Sequence, residues 1–337
     1  MKEAMLYEKL DDAKVRCHLC SHRCTILQGS YGICGVRQNI DGTLFTLVYD
    51  RIIAAHTDPI EKKPLFHFYP GSKAYSIATV GCNFTCRHCQ NADISQLTRE
   101  RKGHIVGDTV RPEEIVRNAQ RAGCESIAYT YTEPTIFFEL TFDTAAIAHA
   151  KGIKNVYVSN GYMTPEALKE ISPYLDAINI DLKAFTDQFY KEICGGRLEP
   201  VLNTIRLAKE LGIWVEVTTL VIPTLNDREN ELKQIAEFIK GVDIDIPWHI
   251  SQFYPTYQLT TQPRTPVETL HMARDIGIKT GLQYVFEGNI PGRGNENTYC
   301  PRCGELLIER WGYSIKRNII ENGRCPSCKA AIAGVGL

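Results

Sequence analysis

The chain has 337 residues, of which 44% are hydrophobic and 23% are charged, a composition typical of a globular protein with a well-filled core. Lys and Arg together number 38 and Asp and Glu 39, so the formal net charge is -1 and no general basic field is available to hold nucleic acid or an anionic membrane. No apolar run approaches the ~20 residues that span a bilayer, and residues 1–10 lack the apolar segment of a secretory signal, so we expect a cytoplasmic protein.

The first 70 residues are predicted to form a cysteine-rich N-terminal module. A β-rich stretch near residues 43–55 follows its cysteines, Cys17, Cys20, Cys24 and Cys34. The chain has 13 cysteines, and a reducing compartment disfavours disulfides, so metal or cluster ligation is the leading account of them. Thiolates suit zinc and iron–sulfur clusters alike, and the sequence leaves open whether these four hold zinc or a second [4Fe–4S] cluster.

Residues 71–297 are predicted to form strands that alternate with helices. The predicted strands lie at residues 74–80, 126–130, 155–159, 177–181, 214–219, 247–253 and 283–286. The predicted helices lie at residues 112–122, 135–150, from 164 onward, and at 200–211, 229–240 and 267–279. Such alternation implies parallel strands joined by right-handed crossovers. Six or seven units without a doubly wound break predict a barrel, complete or partial.

Three central cysteines follow the first predicted strand of this barrel, with the spacing Cys82-x3-Cys86-x2-Cys89. Three thiolates can hold three irons of a four-iron cluster and leave the fourth iron open to a small chelating molecule. The competing interpretation is a closed structural zinc site, which requires four ligands and would have to borrow His88. The spacing and the position of the three cysteines favour the cluster.

The C-terminal residues 298–337 are predicted to form a zinc-ribbon-like module. They carry Cys300-Pro-Arg-Cys303 and Cys325-Pro-Ser-Cys328, two knuckles separated by 21 residues. Four thiolates fill the tetrahedral coordination of a structural zinc ion. Cys124 and Cys194 stand alone in the sequence, and we expect them to be small core residues without chemistry.

Residues 81–91 read Gly-Cys-Asn-Phe-Thr-Cys-Arg-His-Cys-Gln-Asn, which resembles the signature of the radical S-adenosylmethionine (SAM) superfamily. More narrowly, the chain resembles the pyruvate formate-lyase activating enzyme-like branch, and above all the radical SAM enzyme of the AmmeMemoRadiSam system. The resemblance implies a partial (β/α)6 barrel. It also implies that a reduced [4Fe–4S] cluster gives one electron to SAM, whose S–C5′ bond breaks to release methionine and a 5′-deoxyadenosyl radical that abstracts hydrogen from a substrate.

The same resemblance implies a SAM site at the carboxyl ends of the strands, where barrel chemistry gathers. Tyr131 and Thr132 replace the family's two glycines before its Glu-Pro. The implied SAM-contacting residues are Thr132, Glu133, Ser159, Asn160, Asp181, Lys183, Gly288, Asn289 and Pro291. Each has a simpler explanation when taken alone: Asn160 in a turn, Asp181 and Lys183 as a surface pair, Glu133 as a helix cap. All of them fall on one face of the predicted barrel, which favours the site.

These features predict a radical SAM enzyme that acts on a protein or peptide, with glycyl-radical activation as the reaction that the resemblance suggests. Its implied partners are an electron donor such as flavodoxin or ferredoxin and a Memo-like protein. One alternative is a radical SAM transformation of a small molecule. Another, from a different class, is a zinc-ribbon binding or scaffold protein without turnover. The sequence does not identify the substrate or the product.

Overall fold

The N-terminal region consists of short antiparallel strands. The computed structural model of the protein describes residues 1–101, 103–290 and 295–337. β2, β3 and β4 form one three-stranded sheet, and β1, β6 and β5 form another. The strands are β1 (Lys2–Glu3), β2 (Tyr7–Lys9), β3 (Val15–Cys17), β4 (Thr25–Ile26), β5 (Arg37–Ile40), β6 (Thr43–Thr46), β7 (Arg51–Ile52) and β8 (Ala54–Pro59).

The middle of the chain alternates strands with helices, as the sequence predicts. Its elements are β9 (Lys73–Ala78), α1 (Ala92–Ser95), α2 (Leu97–Glu100), β10 (Asp108–Thr109), α3 (Pro112–Arg121), β11 (Ser126–Tyr129), α4 (Phe138–Ala150), β12 (Lys154–Ser159), α5 (Pro165–Ile171), β13 (Ala177–Asp181), α6 (Asp187–Phe189), α7 (Leu198–Glu210), β14 (Trp214–Val221), α8 (Glu229–Val242), β15 (Trp248–Gln252), α9 (Val267–Thr280) and β16 (Val285–Gly288). Short 3-10 turns lie at Ile60–Lys62 and Pro134–Phe137, and a π-helical turn lies at Tyr190–Cys194.

One eight-stranded sheet organises this region, in the order β16-β15-β14-β13-β12-β11-β9-β8. The neighbours from β9 to β16 pair in parallel, and β8 joins the edge of β9 antiparallel. In the described residues β16 and β8 do not pair with each other, so the sheet is an open, partial barrel. The predicted α/β fold is confirmed. Parallel pairing places the carboxyl ends of these strands on one rim.

Local signals explain where the helices begin. Pro165 occupies the first turn of α5, and the Thr164 side chain accepts a hydrogen bond from the Ala167 backbone N–H at 3.2 Å. α3 likewise begins at a proline, and Glu114 accepts from the backbone N–H of Arg111 at 2.9 Å. Both arrangements satisfy N–H groups that the first helical turn leaves unpaired.

The C-terminal region is a small antiparallel sheet that packs against the barrel. Its strands are β17 (Thr298–Tyr299), β18 (Leu306–Trp311) and β19 (Ser314–Asn318). Leu307 packs in one buried cluster with Phe66, from the loop before β9, and with Phe286 of the edge strand β16. The buried Arg310 side chain also donates to the Phe66 carbonyl at 2.8 Å. The C-terminal sheet therefore covers the β16 edge and the loop that follows β8.

No helix among the described residues is long and apolar enough to cross a membrane.

Candidate active site

A cavity of about 480 Å³ lies at the carboxyl rim of the barrel strands. It is open to solvent on one side and is lined by residues of the loop after β9 and of the segments that follow the next strands. The predicted site residues that line it are Cys82, Cys86, Cys89, Thr132, Glu133, Ser159, Asn160, Asp181 and Lys183. Residues that are far apart in the sequence therefore share one chamber.

The three central cysteines occupy the loop after β9, at one end of the cavity. Cys86 is buried, and Cys82 and Cys89 are half-buried. The Cys82 sulfur accepts from the Phe84 backbone N–H at 3.4 Å, and the Cys89 sulfur lies 3.2 Å from the Ser95 hydroxyl. Burial raises the pKa of the Cys82 and Cys89 thiols. Metal coordination would offset this effect, because iron binds the thiolate form.

The sulfur spacing distinguishes a cluster from a single metal ion. A zinc ion with Zn–S bonds of about 2.3 Å brings tetrahedral sulfurs to within about 3.8 Å of each other. Among the described residues, Cys82, Cys86 and Cys89 do not come together within 4.8 Å. His88 instead groups with Cys86 and the distant Cys194 at that spacing. In the described arrangement the three sulfurs are therefore too far apart to be ligands of one zinc ion.

Glu133 is 1% exposed and joins the ends of two neighbouring strands. Its Oε1 accepts from the Thr135 backbone N–H at 3.0 Å, the Thr135 hydroxyl at 2.5 Å and the Ser159 hydroxyl at 2.8 Å. Its Oε2 accepts from the Asn160 backbone N–H at 2.7 Å. Burial raises the pKa of Glu133, and these donors oppose the rise. Oε1 thus has three described donors and Oε2 has one, so Oε2 is the oxygen with room for a further donor.

The turn after β12 is shaped by Asn160 and Gly161. Asn160 donates to the Asn83 side chain at 2.7 Å, and its amide nitrogen lies 3.9 Å from the Cys82 sulfur. Gly161 has φ +69, and a Cβ there would lie 2.8 Å from the Ile180 side chain, so only glycine fits. The turn therefore attaches the end of β12 to the cysteine loop.

Asp181 and Lys183 form an ion pair of 2.7 Å that faces the same cavity. The Lys183 side chain is 13% exposed and the Asp181 side chain 36%. Burial lowers the pKa of Lys183, but the charges of Asp181 and Cys86 outweigh burial, and the net shift is upward. Lys183 therefore stays cationic. The pair presents one positive and one negative group beside the cysteines, which matches the zwitterionic end of an amino acid.

Known proteins resemble this chain in sequence and in fold. The sequence model of the Radical SAM superfamily matches residues 76–239. The chain belongs to the radical SAM superfamily. It is 50% identical over 331 residues to an uncharacterized protein of Methanocaldococcus jannaschii, covering 97% of this chain and 98% of that protein.

Two further relatives of this radical SAM chain are more distant. It is 22% identical over 169 residues to the pyruvate formate-lyase-activating enzyme of Clostridium pasteurianum, covering 48% of this chain and 67% of that one. The fold is similar to that of a radical SAM methyltransferase from Sphaerobacter thermophilus, with a TM-score of 0.51 and 16% identity, covering 66% of this chain and 68% of the other. The structural similarity shows the fold alone, and the activating enzyme is too distant to decide the reaction of this radical SAM enzyme.

Gly288 and Asn289 lie elsewhere on the rim of the radical SAM barrel. They end β16 and are outside the set of described residues that line the cavity. Asn289 adopts φ 64, and its side chain donates to the Gln252 carbonyl at 2.8 Å. It thereby joins the ends of β15 and β16. Pro291, the remaining residue of the predicted turn, lies outside the described residues.

The C-terminal cysteines form a compact group of four. Cys300, Cys303, Cys325 and Cys328 have ligand atoms within 4.8 Å of one another. The Cys300 and Cys328 sulfurs are 3.5 Å apart, and the Cys303 and Cys325 sulfurs are 3.7 Å apart. These distances fit tetrahedral coordination of one metal ion.

The N-terminal cysteines lie near one another but are not so tightly grouped. Among the described residues, no three of Cys17, Cys20, Cys24 and Cys34 come together within 4.8 Å. Burial raises the pKa of Cys34 to about 11, and burial together with the charges of Cys17 and Cys34 raises that of Cys20. The buried Arg37 guanidinium donates to the Cys17 sulfur at 3.3 Å.

The cavity also contains residues that sequence reasoning missed. Lys62 and Lys63 lie in the turn after β8, and Tyr313 lies between β18 and β19, yet all three line the cavity. Cys194 is a fully buried core residue, as predicted, but nothing in the sequence indicated that it lies beside Cys86. No local sequence pattern marks these residues, because each reaches the site through tertiary packing.

Proposed function

We propose that this radical SAM enzyme holds a [4Fe–4S] cluster on Cys82, Cys86 and Cys89 and generates a radical on a protein or peptide. The observation that carries the proposal is the convergence of these cysteines, Glu133 and the Asp181–Lys183 pair on one cavity. When bound, the reduced cluster and SAM together supply the 5′-deoxyadenosyl radical that removes a hydrogen atom from the substrate.

We propose that residues lining the cavity orient the methionine end of SAM. Lys183 lies against its carboxylate, and Asp181 and the free acceptor site of Glu133 Oε2 lie against its ammonium. Ser159 and Asn160 hold the ribose side of the cavity, and Thr132, whose hydroxyl donates to the Thr79 carbonyl at 2.9 Å, fixes the turn above it. Gly288, Asn289 and Pro291 are the residues that we propose to contact the adenine of SAM.

The modules flanking the barrel are assigned structural roles. We assign residues 1–70 to the N-terminal module, 71–297 to the radical SAM barrel and 298–337 to the zinc-ribbon-like module. The sulfur spacing of the C-terminal group supports zinc there. For the N-terminal group, zinc and an auxiliary [4Fe–4S] cluster both remain consistent with the four thiols.

A protein substrate is supported by the activating enzyme among the relatives. From the AmmeMemoRadiSam resemblance we propose a Memo-like protein as the candidate partner, and flavodoxin or ferredoxin is the candidate electron donor. A small-molecule substrate is the second candidate. One observation favours it: Tyr313, in the turn between β18 and β19, contributes to the lining of the cavity together with the barrel residues.

The experiment is anaerobic reconstitution with iron and sulfide, followed by measurement of iron content and of 5′-deoxyadenosine formed from SAM with dithionite. We expect Cys82→Ala, Cys86→Ala and Cys89→Ala each to remove about four irons per chain and all cleavage, because two thiolates hold a cubane poorly. Cys124→Ala is the matched control, since Cys124 lies near Thr57, away from the cavity. Full iron content in any of the three variants would contradict the assignment, and a colourless protein that holds zinc alone would support a scaffold.

The substrate class is tested with deuterium. Candidate partner proteins labelled with deuterium are incubated with the reduced enzyme and SAM, and the 5′-deoxyadenosine is analysed by mass spectrometry. Transfer of deuterium from a labelled protein to the 5′-deoxyadenosine identifies that protein as a substrate. Transfer only from a labelled low-molecular-weight cell extract would favour the small-molecule candidate instead.

A further inference from the structure

The cavity has a second charged end, built by residues outside the SAM site. Lys62 and Lys63 donate to the two carboxylate oxygens of Asp58, at 2.8 and 2.7 Å. The hydroxyl of Tyr131 also donates to Asp58. Lys63 pairs with Asp58, whereas Lys183 pairs with Asp181, so the two lysines have separate partners.

The hydrogen bonding of Lys63 is incomplete in the described residues. An ammonium has three N–H donors, and Asp58 is the one described acceptor for them. The Lys63 side chain is 1% exposed and its ammonium lies 4.5 Å from the centre of the Tyr131 ring. A buried ammonium requires acceptors for its donors. Since Lys63 lines the cavity, its remaining donors point to an acceptor that enters from there.

The two lysines are not fully paired by Asp58. They share this one carboxylate, so the three groups together carry a net charge of +1. Tyr313 lines the same chamber, and the charges that act on its hydroxyl are those of Lys62, Glu296 and Asp58. The C-terminal sheet thus completes this end with a phenol, which can donate a hydrogen bond to an anion.

We propose that Lys62, Lys63 and Tyr313 form a subsite that binds an anionic group of the substrate, a carboxylate or a phosphate. The inference rests on the proposed function, because it takes the cysteine end of the cavity for SAM. The subsite holds the anionic group of the substrate and thereby orients the carbon that loses its hydrogen toward the cluster. This role also accounts for the presence of Tyr313, a residue of the C-terminal module, in the lining of the cavity.

The test is a calorimetric titration of the reconstituted enzyme, saturated with SAM, with inorganic phosphate and separately with glutarate. We expect saturable binding of at least one of these anions, and the tighter of the two identifies the group as phosphate or carboxylate. Lys63→Met should weaken it roughly 10-fold or more, since a charge-assisted bond is lost. Lys154→Met is the matched control: Lys154 pairs with Asp176 at 2.9 Å and is not among the described residues that line the cavity, so its loss should leave anion binding unchanged.

Two further measurements complete the test: anion binding by a second variant, Lys62→Met, and binding of a second ligand, SAM. The Lys62 side chain is 44% exposed, so Lys62→Met should fold normally and still weaken anion binding several-fold, even if Lys63→Met does not fold. SAM affinity should be unchanged in both variants. A tenfold loss of SAM affinity would assign the lysines to the carboxylate of SAM and overturn the proposal, as would the absence of saturable anion binding or equal binding in all variants. Failure of SAM cleavage would count against the proposed function but would not alter this titration.

Discussion

Replacing Glu133 by Gln removes a negative charge from the cavity and changes few atoms. In the native site this carboxylate accepts four hydrogen bonds, three at Oε1 and one at Oε2. The carbonyl of Gln can keep the three at Oε1. Its NH2 group then faces the backbone N–H of Asn160, which lies 2.7 Å from Oε2, and two donors cannot pair. The substitution therefore perturbs both the structure and the charge of the site.

The two effects have separate magnitudes. Orphaning the Asn160 N–H and losing one charged acceptor should cost about 2–4 kcal/mol of folding free energy. For a chain of this size that corresponds to a melting temperature lower by roughly 3–6 °C. If the free acceptor site of Glu133 Oε2 binds the SAM ammonium, its loss removes about 1.5–3 kcal/mol of binding, or roughly a 10- to 100-fold increase in Kd.

The assay measures melting temperature and SAM dissociation constant on the same anaerobically reconstituted protein, with iron content as the check on the cluster. Thr135→Val is the matched control. It removes the hydroxyl that donates to Oε1 and keeps the charge of Glu133, so it should lower the melting temperature without changing SAM affinity. Iron content should stay normal in both variants.

Unchanged SAM affinity in Glu133→Gln, together with a lower melting temperature, would refute the reasoning. Glu133 would then act only as the cap of the 3-10 turn Pro134–Phe137, in which its side chain accepts from the Thr135 N–H. The remaining support for the SAM site would come from the cysteines and from the Asp181–Lys183 pair.

The other predictions concern three separate parts of the molecule. Asp181→Asn should weaken SAM binding less than Glu133→Gln and lower turnover more, because Asp181 orients Lys183 through a 2.7 Å contact; kcat and Kd measured together check this. Metal analysis should find about one zinc per chain at the C-terminal cysteines whether or not iron is supplied, and removal of residues 298–337 should lower stability while the central cluster still assembles. Burial lowers the pKa of His67 to about 4, below its ordinary value of about 6.5, so neutral His67 stabilises the fold fully above pH ~6.5. This contribution, up to about 3 kcal/mol, is lost as the pH falls toward 4. Denaturant unfolding measured as a function of pH should therefore show a smaller pH slope for His67→Gln than for the native protein.

The sequence was most informative where the signal is local. The repeat of strand and helix was readable because apolar periodicity and caps such as Thr164 and Pro165 act within a few residues. The four-cysteine C-terminal group could also be predicted, because the two cysteines of each knuckle lie within one tight turn. Its sulfur distances of 3.5 and 3.7 Å agree with that expectation.

The sequence was less informative where a residue's role depends on its neighbours in space. Cys194 is a core residue, as predicted, but nothing in the sequence indicated that it lies beside Cys86. Glu133 was expected to reach a ligand, and the structure shows that most of its acceptor capacity is already used to join β11 to β12. Neither fact is visible in the residues on either side of these positions, because the partners come from other strands and turns.

By itself, therefore, the sequence determined the radical SAM superfamily, the α/β fold and the grouping of the C-terminal cysteines. These follow from ligand spacing and from the parallel order of strands, which short segments encode. Only the tertiary structure brought Lys62, Lys63 and Tyr313 to one end of the cavity. They come from the segment after β8 and from the C-terminal sheet, and they meet because that sheet packs its apolar face on Phe66 and Phe286, which buries surface and carries the turn containing Tyr313 over the chamber.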